Sequence, residues 1–190
     1  MGFGFLFVGY LLAFGFTSGA NYIVSLVGLI GSIFLLVASH KLSLYSKSFS
    51  VCKYFAASLG MSYILNTASQ LSSAYLMIDN MAILVRICRA LIIASVFLFN
   101  LFMYKGIASI AITTEDKKLT VGAYRDLILM LTYYLCMALS TLTLPIKAYI
   151  SLICAVLGLL WLVLSVLLVL SAYMRIYIPS DENNVQKSNK

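Results

Sequence analysis

Nearly all the charge in this chain lies between long apolar runs, and the runs are long and numerous enough that water cannot be the main solvent of the fold. With 63% of residues hydrophobic, 10% charged and a mean hydropathy of +1.03, the chain sits far from globular composition, where about a quarter of residues are charged. These features predict an all-α integral membrane protein.

Crossing a hydrocarbon core of roughly 30 Å takes about 20 mostly apolar residues in a helix, because each residue rises about 1.5 Å and lipid satisfies no open backbone group. Six segments are read as spans: Phe3 to Phe16, Tyr22 to Ala38, Tyr54 to Leu76, Ile83 to Tyr104, Leu127 to Leu144 and Ile150 to Tyr173. Thr17 to Asn21 reads as a tight turn, and Pro145 as a helix stop. Residues 1–178 form a single transmembrane domain, and 179–190 a flexible polar tail too hydrophilic to pack. The first segment is expected to be a retained span rather than a cleaved leader, since no Lys or Arg precedes Phe3.

Cytoplasmic loops retain Lys and Arg, so their distribution sets the orientation. Lys41, Lys47, Lys53, Lys105, Lys117, Lys118, Arg125, Arg175, Lys187 and Lys190 fall on one side, against Arg86, Arg89 and Lys147 on the other. The expected architecture is therefore a six-transmembrane-helix bundle with both termini cytoplasmic, in the cell membrane. The net charge of +7 then reflects topology and attraction to anionic headgroups. Dispersal of the basic residues over separate short segments argues against nucleic-acid binding.

Polar side chains inside spans are costly and hence informative. Ser58, Ser62, Asn66, Ser69 and Ser73 fall on one face of the third span at helical spacing, with Gln70 beside them. The fifth span repeats the pattern with Tyr133, Cys136, Ser140 and Thr143, and the fourth places Arg86, Arg89, Asn100 and Tyr104 in nearly one direction. Two explanations compete for these stripes. Hydroxyls and amides serve as glue between helices, worth about 0.6 kcal/mol per contact, or they line a wet cavity that orients a solute. Carboxamides on successive turns, Asn66 and Gln70, favour the cavity because each needs several partners. Span six, nearly all Leu, Val and Gly from Val156 to Leu170 apart from Trp161 and Ser165, is expected to face lipid.

Arg86 and Arg89 carry the sharpest charges. Planar guanidinium groups there could hold a carboxylate or phosphate, snorkel to headgroups, or pair with Asp79. If the span slid to Ala90 through Ile112, both would leave the membrane and Lys105 would become the buried charge.

The inventory argues against an enzyme. One histidine, His40, with scattered cysteines and acids cannot build a metal site, and no cofactor motif is present. Asp79 and Asp126 are expected on opposite sides and so form no dyad, with Asp126 beginning a helix where the dipole favours a carboxylate. A His40/Cys52 nucleophilic pair is formally open. Cys52, Cys88, Cys136 and Cys154 read as small apolar side chains, with a Cys88–Cys154 disulfide and acylation of Cys52 left open.

Gly9-x-x-x-Ala13 and Gly28-x-x-x-Ser32 are spacings that allow close helix approach. In size and span count the chain resembles the substrate-binding S components of energy-coupling-factor vitamin transporters. Those are six-helix proteins with a small-residue contact surface on the first helix, for which Gly9 and Ala13 are a partial counterpart. No ligand motif matches, so no binding residue is carried over. The functional expectation is a solute-binding or transport component whose cavity is formed by spans three, four and five. Its candidate residues are Ser62, Asn66, Gln70, Arg86, Arg89, Asn100, Tyr133 and Ser140, and its ligand a small polar or anionic solute. The alternative is an accessory, sensory or scaffold subunit acting through a membrane protein partner.

Overall fold

The computed structural model describes residues 2–14, 22–76, 81–140 and 147–176. Within them the chain forms six α-helices and no strand: α1 (Gly2–Phe14), α2 (Tyr22–Leu42), α3 (Lys47–Leu76), α4 (Met81–Thr113), α5 (Lys117–Ser140) and α6 (Lys147–Arg175). Three stretches, Ile23–Leu42, Ile83–Thr113 and Ala148–Arg175, are long and apolar enough to cross a membrane. The outward faces are apolar too. Ile30 and Ile33 on α2, Ile83 and Ile87 on α4, and Leu159 and Leu167 on α6 are all at least half exposed, which suits lipid rather than water.

Several helices outrun the apolar segments that announce them. α3 starts at Lys47 rather than about Tyr54, α4 continues past Tyr104 to Thr113, and α5 starts at Lys117, well before Leu127. Hydropathy marks where a segment leaves an apolar solvent, whereas a helix ends only where its backbone is capped. The caps lie farther out. Ser46 accepts the Ser48 amide at 3.3 Å to start α3, and Asp116 Oδ1 accepts the Leu119 amide at 3.1 Å to start α5. α4 closes on a Schellman turn: Glu115 takes a positive φ of 56°, its amide bonds the Ile112 carbonyl, and the Asp116 amide bonds the Ala111 carbonyl at 2.9 Å. The Leu119 amide, and behind it the Arg175 guanidinium, hold the Asp116 carboxyl below the usual carboxylate range.

Asp126 therefore does not begin a helix. Asp116 has that role, while Asp126 is fully buried within α5, where its Oδ1 meets Arg125 at 2.8 Å. α4 holds both proposed placements of the fourth span in one continuous helix.

Each helix packs on its neighbour in sequence, and α6 returns to α1, closing a ring. The closest approach is between α1 and α2. A Cβ on Gly9 would stand 2.8 Å from the Leu35 nitrogen and 3.0 Å from the Gly31 oxygen, and one on Gly31 would collide with the Ala13 backbone. Gly9 and Ala13 thus form half of a backbone-to-backbone contact, and its other half is Gly31. Gly28 and Ser32 face α3 instead, where Gly28 makes room for the Tyr63 ring and Ser32 lies against Gly60.

Because the obstacle at Gly31 is backbone, Gly31→Val should cost about 3 kcal/mol or more, or prevent folding. Gly4→Ala, whose new Cβ would meet only the Tyr173 ring at 3.3 Å, should stay within about 1 kcal/mol of wild type. Thermal unfolding of the purified variants in detergent measures both.

A candidate solute cavity above a buried polar network

The polar stripe on α3 divides into two environments. In its lower part the Ser58 hydroxyl meets the Ser95 hydroxyl of α4 at 3.1 Å, and the Ser62 hydroxyl donates to its own helix at the Ser58 carbonyl, 2.8 Å away. These are packing contacts. One turn further on, Asn66 and Gln70 line a cavity of about 470 Å³. Phe14, Ser25, Tyr63, Arg89, Tyr133, Tyr134 and Trp161 complete its more polar and aromatic walls, so every helix contributes. A volume of this size matches a small-molecule site.

The aromatic wall is built on α5 and α6. Tyr133 stacks on Trp161 with centroids 5.4 Å apart and planes 22° from parallel, and Tyr134 meets Trp161 edge-on at 6.1 Å. Gly158 makes this possible, since a Cβ there would stand 2.8 Å from the Tyr133 ring. Opposite, Asn66 Nδ2 donates to the Ser25 hydroxyl at 2.8 Å, but Asn66 Oδ1 is buried without a partner. Buried amide oxygens are almost always paired, so this atom is an exception that the surrounding packing leaves uncompensated. Arg89, exposed on the cavity wall, supplies the only full charge among the lining residues.

Below the cavity the interior is closed by hydrogen bonds. Trp161 Nε1 donates to the Tyr104 hydroxyl at 2.7 Å, Tyr104 pairs with the Ser165 hydroxyl, and Ser165 donates back to the Trp161 carbonyl at 2.7 Å. The Tyr10 hydroxyl donates to Asn100 Oδ1 at 3.0 Å, and Asn100 Nδ2 donates to the Val96 carbonyl at 2.9 Å. Tyr63 reaches across to give its hydroxyl to the Ala13 carbonyl at 3.0 Å, satisfying the last turn of α1.

Of the residues singled out in the sequence, Asn66, Gln70, Arg89 and Tyr133 line the cavity. Ser62 and Asn100 lie within the packed interior, Ser140 bonds the Met137 carbonyl of its own helix at 2.7 Å, and Arg86 is exposed away from the lining. The side chains of Ser73, Asp79 and Thr143 lie outside the described residues. Span six, expected to face lipid, is exposed and apolar over most of its surface but not all of it. Its Trp161, Ser165, Leu168 and Ala172 are buried at helical spacing, so one face of α6 looks inward and carries the key aromatic ring. Two polar residues in an otherwise aliphatic run, four apart, were the available signal. Tyr10 on α1 was also missed.

All four cysteines are free thiols, including Cys88 and Cys154. Cys52 is buried with its thiol directed at the Phe99 carbonyl 3.7 Å away, closed to acylation, while His40 is exposed at the end of α2. Among the described residues no three His, Cys, Asp or Glu side chains cluster as metal ligands. Comparison with protein-family models, curated proteins and solved structures gives no match.

Tyr10→Phe strands the fully buried Asn100 Oδ1 and should cost about 1–3 kcal/mol in thermal unfolding. Replacing both members of the cavity pair together, Ser25→Ala with Asn66→Leu, should leave stability unchanged or raised, since it removes an amide that is only half satisfied.

Proposed function

We propose that the chain is a six-span protein of the cell membrane with both termini cytoplasmic, and that its cavity binds a small solute combining a flat apolar body with an anionic group, as a binding or transport component. The six-span reading rests on the closed ring of helices. α3 and α5 are less apolar than their neighbours because part of their polar surface is buried inside that ring, and α1 covers only about 20 Å of a roughly 30 Å core. The tight α2–α3 and α4–α5 turns lie at the lysine-rich end, which the positive-inside rule assigns to the cytoplasm. The cavity, set toward the other end of the helices, would then open outward.

The observation that carries the solute reading is a cavity of about 470 Å³ that combines the Arg89 guanidinium with the Tyr133–Trp161 stack. Glue alone does not account for it, because Ser58, Ser62 and Ser69 find partners within the protein, whereas helix packing needs neither an open space nor a guanidinium beside it. The guanidinium supplies a paired donor for a carboxylate or phosphate, and the Tyr133–Trp161 stack covers an apolar ring. No nucleotide-binding loop is present in the sequence, so a cycle driven by ATP would need a protein partner. An accessory or scaffold role is the second reading, favoured by the mutual satisfaction of the network under the cavity.

Trp161 is the sole tryptophan and lies in the cavity wall, so its fluorescence reports occupancy. Titration with aromatic carboxylates should change its emission saturably, and Arg89→Gln should weaken that binding at least tenfold, the scale of one charge-assisted contact, while sparing neutral analogues. Equal binding of charged and neutral probes, or no saturable change, would turn the account toward the scaffold reading.

A further inference from the structure

A second concavity, of about 250 Å³, runs between α5 and α6 at the end of the bundle that carries the α4–α5 turn. Lys118, Gly122 and Arg125 present one face of α5 to it, stepping by four and three, and Leu164, Leu168 and Arg175 one face of α6. Its two ends differ. Lys118 and Arg175 stand near the helix termini with Arg125 two turns further in, Leu168 lies against Gly122 between these charges, and Leu164 continues the trough along α6 a turn deeper.

The geometry points to a binding site for one anionic phospholipid of the surrounding bilayer, with its phosphate among Lys118, Arg125 and Arg175 and an acyl chain along Leu164 and Leu168. Lys118 is exposed and forms no ion pair among the described residues. The two arginines touch carboxylates, Arg175 with Asp116 at 3.4 Å and Arg125 with Asp126 at 2.8 Å, yet their side chains remain 48% and 51% exposed. A guanidinium has five donors, so each retains several for a phosphate. Gly122 leaves the trough open: a Cβ there would already stand 3.1 Å from Leu168 Cδ1. Basic residues at the mouth of an apolar trough fit a molecule that joins an anion to a hydrocarbon chain, whereas a free phosphate would make no use of the leucines. The site depends on the membrane location proposed above and not on the solute cavity.

The test is native mass spectrometry of protein released from vesicles of equal phosphatidylglycerol and phosphatidylcholine. The wild-type protein should retain phosphatidylglycerol preferentially. Lys118→Gln combined with Arg175→Gln should reduce that preference roughly fivefold per charge removed, and Lys53→Gln, outside the groove, should leave it intact. Gly122→Leu should abolish retention by filling the trough. If that variant does not fold, Leu167→Gln, at a half-exposed groove residue, should weaken retention in its place. Lipids retained in bilayer proportion by the wild type would overturn the proposal, as would a preference that survives the charge variants. Removal of the preference by millimolar inorganic phosphate would do so too, by marking a site for free anions only. Normal incorporation into vesicles without lipid preference would refute the groove site while leaving the membrane location standing.

Discussion

A helix of thirteen residues, packed among neighbours of 21 to 33, has in its last turn a backbone carbonyl, that of Ala13, whose buried partner comes from another helix. That partner is Tyr63 of α3, and its ring fits only because Gly28 lacks a side chain. The same helix is fixed by the contact of Gly9 and Ala13 with Gly31, so its position is set by backbone rather than by adjustable side chains. Phe14, at its end, forms part of the cavity wall. The cavity therefore has one wall residue, Phe14, on a helix held by backbone contact, and the rest of its lining on the other five.

Two kinds of polar burial follow, and magnitudes separate them. Below the cavity the Tyr10, Asn100, Tyr104, Trp161 and Ser165 groups satisfy one another, each bond contributing about 0.5–1.5 kcal/mol while excluding alternative packings. In the cavity, Asn66 keeps an unpaired oxygen that stability alone disfavours by about 1–3 kcal/mol. Asp126, with one oxygen on Arg125 and the other unpartnered, and the unpartnered Ser39 hydroxyl are further such costs, both outside the cavity lining. The network also fixes the indole of Trp161, so the rigid floor and the aromatic wall are one construction.

The helical class was legible in the sequence because long apolar runs have few other solutions, and the candidate Asn66, Gln70, Arg89 and Tyr133 were legible because polar groups at helical spacing stand out against aliphatic surroundings. Helix ends were not, since Ser46 and Asp116 cap the chain in charged segments that hydropathy discounts. The inward face of α6 was not legible, because Trp161 and Ser165 are diluted by leucines on every side of a helix that is otherwise mostly exposed. Gly31 escaped notice because small-residue spacing identifies a capacity for close approach without saying which neighbour uses it. The division of one stripe into glue at Ser58 and Ser62 and cavity at Asn66 and Gln70 depends on what the opposing helices present, which no single segment encodes.

The central claim is a bundle that is wet above Asn66 and dry below it. Single cysteines at Gln70, Tyr133, Ser62 and Asn100, in a background lacking the four native cysteines, test it with a membrane-impermeant thiol reagent added to the outer side of intact cells. The account predicts labelling at Gln70 and Tyr133, protection of both by a solute that quenches Trp161, and silence at Ser62 and Asn100. Silence at Gln70 and Tyr133 in folded protein, or labelling at Ser62 and Asn100 as fast as at the cavity positions, would contradict it.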